Sequence, residues 1–356
     1  MNDHLYALVI AGGRGTRFWP RSRRRTPKQC IALGTERTLI QQTVDRIRPL
    51  LPAERILVVT SWDMAETVIA QLPELPGENF LVEPVGRNTA PAVGWGCMDI
   101  ARRSVGETAV VAVLPSDHII EDEEEFLGVL RACAAAARAT NALVTIGLQP
   151  TRAETGYGYL RCGGTLGEFE AHDFLRVRRF VEKPNAATAA EYLASGDYLW
   201  NAGMFVFTVE AARDAFRQHL PKTWALLERL RYEPADLARL YPQMDAISID
   251  YGIMERSRHV LTVRAELGWS DVGSWPALAE HLPRIAGGRG VADPIVAVDS
   301  SGNIVHAPGK VVALVGVEDL IVVDTGDALL VCRKDQAQRV REVIEVLEER
   351  DLNEVL

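Results

Sequence analysis

The first half of the chain alternates continuous apolar runs with segments of helical periodicity. Leu5 to Ala11 is an apolar run that leads into glycines, and Ile56 to Thr60 is a second run of this kind. Between them, apolar residues recur at helical spacing from Ile40 to Leu51. Strands that are buried on both faces give continuous apolar runs, and their alternation with helices is typical of a doubly wound sheet. We therefore predict an α/β fold with a mixed, mostly parallel sheet.

Three further apolar runs, NFLVE, AVVAVL and ALVTIGL, extend this pattern, with helical stretches near Pro91 to Arg102 and Glu123 to Arg138. After Pro150 the pattern loosens. Gly156 to Cys162 and Phe174 to Glu182 then predict strands of a smaller antiparallel region.

The pattern changes again near the C-terminus. From Ile295, short β runs separated by Gly, Asp and Pro turns predict a compact all-β appendage, whose runs could also be coils of a short solenoid. An amphipathic helix from Gln336 to Arg350 closes the chain. Because the composition shifts at the glycines of 287–290, we divide the chain into a domain of residues 1–286 and a β appendage with its helix, residues 291–356.

Composition excludes several classes of protein. The net charge of -9 argues against a nucleic-acid binder, whose surface would be basic. The five cysteines are scattered, which predicts buried free thiols in a reducing compartment. The N-terminus lacks a basic segment, and no apolar run approaches the ~20 residues that a membrane helix needs. We expect a cytoplasmic protein without membrane contact.

The segment AGGRGTRFWPRSRRRTPKQ is the strongest candidate for chemistry. Gly12, Gly13 and Gly15 follow the first predicted strand, where backbone N–H groups can approach phosphate oxygens. Arg17 and Lys28 can neutralise phosphate charge. No Gly-Lys-Ser/Thr closes a Walker A loop, and an aromatic residue stands where a dinucleotide fingerprint has its third glycine. Without further motifs, the segment is equally consistent with a tight turn before a solvated basic face.

Three other segments place polar residues in loops. LPSDH and EPVGRNTAPA each follow an apolar strand, at the edge where open α/β sheets bind ligands. GWSDVGSW places Asp271 in a turn between two tryptophans. Simpler interpretations remain open for each. Asp117 or Asn88 could simply cap a helix, and Asp271 could be a loop aspartate whose hydrogen bonds are satisfied by the protein.

Taken together, these motifs resemble those of the sugar nucleotidyltransferases, whose signature is G-G-x-G-T-R-x-x-P-x-x-x-x-x-P-K. The F-W-P triplet is similar to that of the mannose-1-phosphate guanylyltransferases. The matches run in family order from residue 8 to about residue 276. The resemblance implies a Rossmann-like nucleotide-diphospho-sugar transferase fold with a β-helix-like tail, and a homodimer.

The resemblance also implies the reaction of GTP with mannose 1-phosphate to give GDP-mannose and pyrophosphate, assisted by Mg²⁺. The residues that it implies are Arg17 and Lys28 for catalysis; Gly12, Gly13, Gly15, Thr16, Glu83, Asn88, Thr89 and Ala90 for the nucleotide; Gly156, Tyr157, Glu182, Lys183 and Asn201 for the sugar phosphate; and Asp117 and Asp271 for magnesium.

Two of these residues raise a geometric question. Glu182 and Lys183 are neighbours, so alternation along a strand would point them to opposite faces. They can share a site only if the turn before Pro184 redirects one of them. Without the resemblance, they would be an ordinary surface pair.

Other functions remain open on the sequence alone. The base could be thymine or uracil and the sugar another 1-phosphate, or the chain could be a non-catalytic subunit that senses sugar nucleotides. The retained aspartates argue against a sensor. An NAD-dependent dehydrogenase is disfavoured, because the third glycine and the acidic residue after the second strand are missing. With no isomerase domain or histidine cluster in the sequence given, we expect a single activity.

Overall fold

The computed structural model describes residues 4–13, 15–33, 35–292 and 294–356. Its main feature is a mixed sheet of nine strands. In chain order these strands are β1 (Leu5–Ala11), β2 (Ile56–Ser61), β3 (Phe80–Glu83), β4 (Val110–Pro115), β5 (Leu143–Leu148), β6 (Gly158–Phe169), β7 (His172–Val181), β8 (Tyr198–Thr208) and β9 (Val260–Ala265). Across the sheet their order is β3-β2-β1-β4-β8-β5-β9-β7-β6. The predicted fold class is confirmed.

Ten α-helices accompany the described strands. They are α1 (Leu39–Ile47), α2 (Ala65–Gln71), α3 (Thr89–Arg103), α4 (Glu123–Thr140), α5 (Ala186–Ser195), α6 (Val209–His219), α7 (Pro221–Tyr232), α8 (Leu237–Leu240), α9 (Trp275–Ala279) and α10 (Val340–Glu349). A short π-helix spans Asp250–Met254. No helix in the described ranges is long and apolar enough to cross a membrane.

Both faces of the sheet are covered, which explains the continuous apolar strands. Strand β1 points Ala7 and Val9 into a core shared with α1, α2 and α4. It points Leu8 into a second core, which α3, α6 and α7 cover. Strands β1 to β4 pair in parallel, so their carboxyl ends lie along one edge of the sheet. This edge positions the site described below.

Strands β6 and β7 form the predicted antiparallel pair, and this region is continuous with the main sheet. They pair with each other, and they also join the main sheet through β8 and β9. The reason is the length of β8. One edge pairs with β5 from Trp200 to Val206, and the other edge pairs first with β6, through Tyr198–Asn201, and then with β4, through Phe205–Thr208. The bulge in the β5–β8 pairing between Thr145 and Gly147 lies near this change of partner.

The C-terminal segment forms the short solenoid that the sequence allowed. Its strands are β10 (Arg284–Ile285), β11 (Gly288–Ala292), β12 (Ile295–Val298), β13 (Asn303–Ala307), β14 (Val312–Val315), β15 (Leu320–Asp324) and β16 (Leu329–Arg333). β11, β13 and β15 stack in parallel, as do β12 and β14. Buried Asn303 joins successive coils, since its amide donates to the carbonyls of Gly287 and Val317 and its oxygen accepts from the Leu320 N–H.

A third core joins this solenoid to the segment with the glycine-rich loop. The rings of Phe18 and Trp275 are in tilted contact with centroids 5.3 Å apart, and they pack with apolar side chains of β13, β15 and α10. At the rim of this core, the Trp19 indole N–H donates to the Val355 carbonyl over 2.7 Å. The solenoid is therefore part of the support of the glycine-rich loop.

His306 on β13 makes the stability of this junction depend on pH. The side chain is buried near Trp275, and neither ring nitrogen has a hydrogen-bond partner among the described residues. Burial foremost, and then the charge of Arg21, lowers the pKa of His306 to about 4. The imidazole is therefore neutral in the folded protein down to that pH, whereas the unfolded chain takes up a proton near its ordinary value.

We expect the free energy of unfolding to fall by about 3 kcal/mol between pH 7 and pH 4 through His306, because each pKa unit corresponds to about 1.4 kcal/mol. Denaturant titrations at several pH values would measure this. His306→Leu should flatten the dependence, whereas His259→Leu, at an exposed position, serves as the control. An equally steep loss in the His306 variant would contradict the assignment.

Candidate functional site

A cleft of about 430 Å³ opens at the carboxyl edge of β1 and β4. Most residues that the resemblance implies lie on its wall: Gly12, Gly13, Glu83, Asn88, Thr89, Asp117, Gly156, Tyr157, Glu182, Lys183, Asn201 and Asp271. The structure thus brings together segments that are far apart in sequence. Lys28, Gly15, Thr16, Arg17 and Ala90 are not among the wall residues, and their positions are given below.

Lys28 lies beneath the wall of the cleft. It is 4% exposed, and its ammonium donates to Asp117 Oδ2 over 2.8 Å and to the Asp271 carbonyl over 2.7 Å. Gly15 makes this position possible: its φ is +62°, and a Cβ there would lie 2.2 Å from Lys28 Cβ. A glycine is therefore required for the loop to fold over the lysine.

The lysine also sets the charge of Asp117. Burial acts to raise the pKa of Asp117, but the charges of Lys28 and His118 and the hydrogen bond from Lys28 outweigh it. The net effect holds the pKa below its ordinary value. Asp117 therefore remains an anion at neutral pH, as a cation ligand must.

Asp271 is oriented by its own loop and by Tyr157. The Tyr157 hydroxyl donates to Asp271 Oδ1 over 2.8 Å, and the Gly273 N–H donates to the same oxygen over 3.1 Å. Asp117 and Asp271 share the cleft wall, and Lys28 contacts both segments. Two carboxylates facing a polar cleft fit Mg²⁺, which takes few protein carboxylates and completes its shell with phosphate oxygens and water. No cluster of three or more metal-ligating side chains exists in the described part of the chain.

A group of rings beside the aspartates was not singled out from the sequence. The Trp269 N–H donates to His118 Nδ1 over 3.1 Å, so Nδ1 acts as the acceptor. Burial foremost lowers the pKa of His118, which favours the neutral ring. The ring centroid of Tyr157 lies 5.2 Å from those of Trp269 and Trp200, and both pairs are in edge-to-face contact. Trp200 is buried next to Tyr157.

The segment that follows β3 forms the opposite wall. Glu83 is 4% exposed and accepts a hydrogen bond of 2.5 Å from the Tyr241 hydroxyl at Oε1. Burial foremost raises the pKa of Glu83, although the bond from Tyr241 opposes this effect. A Cβ placed on Gly12 would lie 3.5 Å from Glu83 Oε2, so the carboxylate faces the glycine-rich loop.

Asn88, Thr89 and Ala90 form the start of α3. Asn88 has a φ of 64°, and its side chain accepts from the Thr89 N–H over 2.8 Å. Thr89 Oγ1 accepts from the Ile249 N–H, and the Ala90 N–H donates to the Ile247 carbonyl. The predicted helix cap is therefore present. Through these two hydrogen bonds, Thr89 and Ala90 position residues 247–249, a segment that the sequence analysis did not connect with the site.

Glu182 and Lys183 share the cleft. Lys183 has a φ of +47°, in the left-handed region, and its ammonium contacts Glu182 Oε1. Strand β7 ends at Val181, so alternation no longer applies to these two residues. The turn before Pro184 redirects Lys183, which answers the geometric question raised by the sequence.

The arginines of the glycine-rich segment face the C-terminal solenoid. Arg17 donates to Gln338 over 3.3 Å at the surface, and Thr16 lines a small cavity against α10. Arg23 pairs with Asp327, and Arg24 with Glu348. Because the segment packs on the third core, Arg17, Arg23 and Arg24 point toward that side of the loop. The density of positive charge in the sequence therefore serves partly to hold the solenoid.

We expect Lys28→Met to lower the free energy of unfolding by about 2 kcal/mol, because a buried ion pair would lose one partner while the other stays partly solvated. Chemical denaturation would measure it. In the double variant with Asp117→Asn, the loss should be about 1 kcal/mol smaller than the sum of the single losses. Strict additivity would mean that the two side chains do not interact.

Comparison with known families agrees with this architecture. Residues 6–287 match the family described as Nucleotidyl transferase, and residues 293–347 match the MannoseP isomerase/GMP-like beta-helix domain. The crystal structure of mannose-1-phosphate geranyltransferase from Thermus thermophilus is similar, with a TM-score of 0.88 and 39% identity. The similarity covers 97% of this chain and 99% of that one.

Curated relatives are similar along nearly the whole chain. Mannose-1-phosphate guanylyltransferase 2 of Escherichia coli O157:H7 is 34% identical over 96% of this chain and 73% of its own length. Xanthan biosynthesis protein XanB of Xanthomonas campestris pv. campestris strain B100 is 37% identical over 97% of this chain and 73% of its own length. The chain belongs to the nucleotidyl transferase family, together with proteins named mannose-1-phosphate guanylyltransferase.

Proposed function

We propose that this chain is a mannose-1-phosphate guanylyltransferase, which transfers GMP from GTP to mannose 1-phosphate and releases pyrophosphate. The observation that carries the proposal is the single cleft in which the glycine-rich loop, the two aspartates and the Glu182–Lys183 pair face one another. Such a cleft can hold a triphosphate and a sugar phosphate at once. The choice of guanine as the base and mannose as the sugar rests on the relatives named mannose-1-phosphate guanylyltransferase.

The reaction needs no strong general base. A phosphate monoester is largely ionised near neutral pH, with a second pKa of ~6, so its oxygen can attack the α-phosphorus directly. Catalysis then depends on positioning and on neutralising charge. The backbone of Gly12 and Gly13 would cradle the triphosphate, Lys28 would neutralise it from below, and Lys183 would hold the incoming phosphate.

Asp117 and Asp271 would hold a magnesium ion, which when bound would neutralise charge on the phosphate that is attacked. Lys28 and Tyr157 keep these two carboxylates in place before any ligand binds. Arg17 would contact the departing pyrophosphate after its side chain leaves Gln338, a surface contact of 3.3 Å that costs little to break. The homodimer and the cytoplasmic location remain predictions of the resemblance.

Glu83 would select the base. Guanine presents two adjacent donors, N1–H and the 2-amino group, and a carboxylate accepts both, whereas adenine offers no such pair. Glu83 lies on the wall of the cleft beside Gly12, and Tyr241 fixes its orientation. The base would then lie between β3 and the start of α3.

The experiment that tests the proposal is pyrophosphate release with magnesium, using mannose 1-phosphate and glucose 1-phosphate against GTP, ATP, UTP and dTTP. We expect release with GTP and mannose 1-phosphate, and a loss of at least about 100-fold in kcat for Asp271→Asn with the fold retained. If pyrophosphate is released only with another combination of nucleotide and sugar 1-phosphate, the proposed substrates are wrong. If no combination gives release, the non-catalytic regulatory subunit becomes the favoured function. An Asp271→Asn variant that turns over normally at saturating magnesium would remove Asp271 from the metal site.

Glu83→Gln should reduce kcat/KM for GTP by about 10- to 100-fold, because hydrogen bonds to a charged group contribute about 1.5–3 kcal/mol. The KM for mannose 1-phosphate should stay the same, since Glu83 lies on the nucleotide side. Glu78→Gln, on the exposed approach to the same strand, is the matched control. An unchanged preference among the four nucleotides would show that another residue selects the base.

A further inference from the structure

Asp250 is an acid in the cleft to which neither the motifs nor the proposed mechanism gives a role. It lies at the start of the π-helix Asp250–Met254 and lines the cleft. Asn201 donates to Asp250 Oδ1 over 3.1 Å. The other end of the Asn201 amide lies 2.7 Å from Thr145 Oγ1, and this hydroxyl also lies 3.1 Å from the Met204 carbonyl. Oδ1 of Asp250 is therefore an acceptor in a built network, and Oδ2 remains for a ligand.

Glu182 gives independent evidence for a ligand on this side of the cleft. It is 8% exposed, and Lys183 contacts its Oε1. Its Oε2 is buried and has no hydrogen-bond partner among the described residues. That oxygen lies over Gly158, where a Cβ would approach it to 2.5 Å. A buried carboxylate oxygen without a donor is costly, so the site is arranged for a donor that arrives with the ligand.

The charges around Asp250 favour one proton on the pair. Burial foremost, and then the charge of Glu182, raises the pKa of Asp250 to about 7, against the opposing effects of Lys183 and Asn201. The titratable neighbours along its own segment are Tyr251, in the π-helix, and Glu255, directly after it, which accepts from the Glu182 N–H. The other packed elements add little charge. Helix α6 contributes His219, which lies near Arg256, and the first turn of α3 has no charged residue.

We propose that Asp250 is a sugar-binding residue, which acts with Glu182 as a carboxylic acid–carboxylate pair that binds two neighbouring hydroxyl groups of the incoming sugar phosphate. Glu182 accepts from one hydroxyl through Oε2. Asp250, protonated on Oδ2, donates to the other while Oδ1 keeps the bond from Asn201. The inference rests on the proposed function, which places the sugar phosphate on this side of the cleft.

Binding of the phosphate strengthens this arrangement. Lys183 contacts Glu182 before the ligand arrives, and in the proposed mechanism it turns to the incoming phosphate. Its positive charge then lies farther from the two acids, and the sugar excludes water from them. A second negative charge on the pair becomes more costly, so the proton stays on Asp250 in the complex. Phosphates of sugars whose rings carry no charge and have adjacent hydroxyls fit such a pair, whereas an acidic sugar would place a second negative charge beside Glu182.

The test measures the KM for mannose 1-phosphate against pH at saturating GTP and magnesium. Only the protonated form of Asp250 binds the sugar, so in the unmodified protein the KM should rise about tenfold between pH 6 and pH 8. Asp250→Asn keeps a neutral donor that cannot ionise. Its KM should change by less than about threefold over this range and fall below that of the unmodified protein at pH 8. The KM for GTP should not follow the same curve.

Two comparisons isolate the effect. Mannose 1-phosphate itself ionises with a pKa of ~6, and this contribution is the same for both proteins, so the difference between their curves belongs to Asp250. Asp214→Asn, the same change at an exposed position of α6, should keep the original curve. Asp250→Ala should raise the KM for mannose 1-phosphate by about tenfold or more at pH 6, with thermal unfolding as the check on folding.

The outcomes separate the two proposals. If the unmodified protein does not convert GTP and mannose 1-phosphate, the proposed function fails. If it does and Asp250→Asn shows the same rise in KM with pH, the proton on Asp250 has no part in binding and the inference is overturned. A KM for Asp250→Ala equal to that of the unmodified protein would also overturn it. If the alanine variant does not fold, the curve of the asparagine variant decides alone.

Discussion

The buried ammonium of Lys28 is the contact on which the arrangement of the cleft depends. It joins the glycine-rich segment to Asp117, 89 residues away, and to the carbonyl of Asp271, 243 residues away. Each partner lies in a loop with little regular structure of its own, so this contact fixes their separation directly. The cost of burying the ammonium is offset by a charged acceptor and a carbonyl together. Gly15 supplies the space for it.

The solenoid extends this constraint to the outer side of the loop. Phe18 and Trp19 are anchored in a core shared with the C-terminal strands and helix, and Arg23 and Arg24 pair with acids there. The glycine-rich loop is thus held from below by Lys28 and from outside by the solenoid. Loops with few buried contacts open most readily, so these anchors stabilise the described ends of the loop against opening.

The fold could be predicted from the sequence where a local pattern decides the structure. The residues of the site could be predicted only where they belong to a recognisable motif. Apolar runs covered on both faces by helices identified β1 to β4. The antiparallel strands β6 and β7 were also predicted, but their continuity with the main sheet was not, because the change of partner along β8 leaves no local signal. Asp250, His118 and Trp269 went unnoticed for the same reason: their importance comes from contacts across the cleft. The left-handed backbone of Lys183 and the outward Arg17 are likewise products of tertiary packing.

Lys28 and Lys183 each form an ion pair with an acidic residue of the cleft. In the protein without substrates, Lys28 contacts Asp117 and Lys183 contacts Glu182, so each cation already has an acid as its partner. Under the proposed function, Lys183 turns from Glu182 to the incoming phosphate, whereas Lys28 keeps its bond to Asp117 while it neutralises the triphosphate. The exchange at Lys183 replaces one charged hydrogen bond by another, so little is lost when the ligand leaves. The sugar and its phosphate are then bound by neighbouring residues, which positions the incoming phosphate for the reaction.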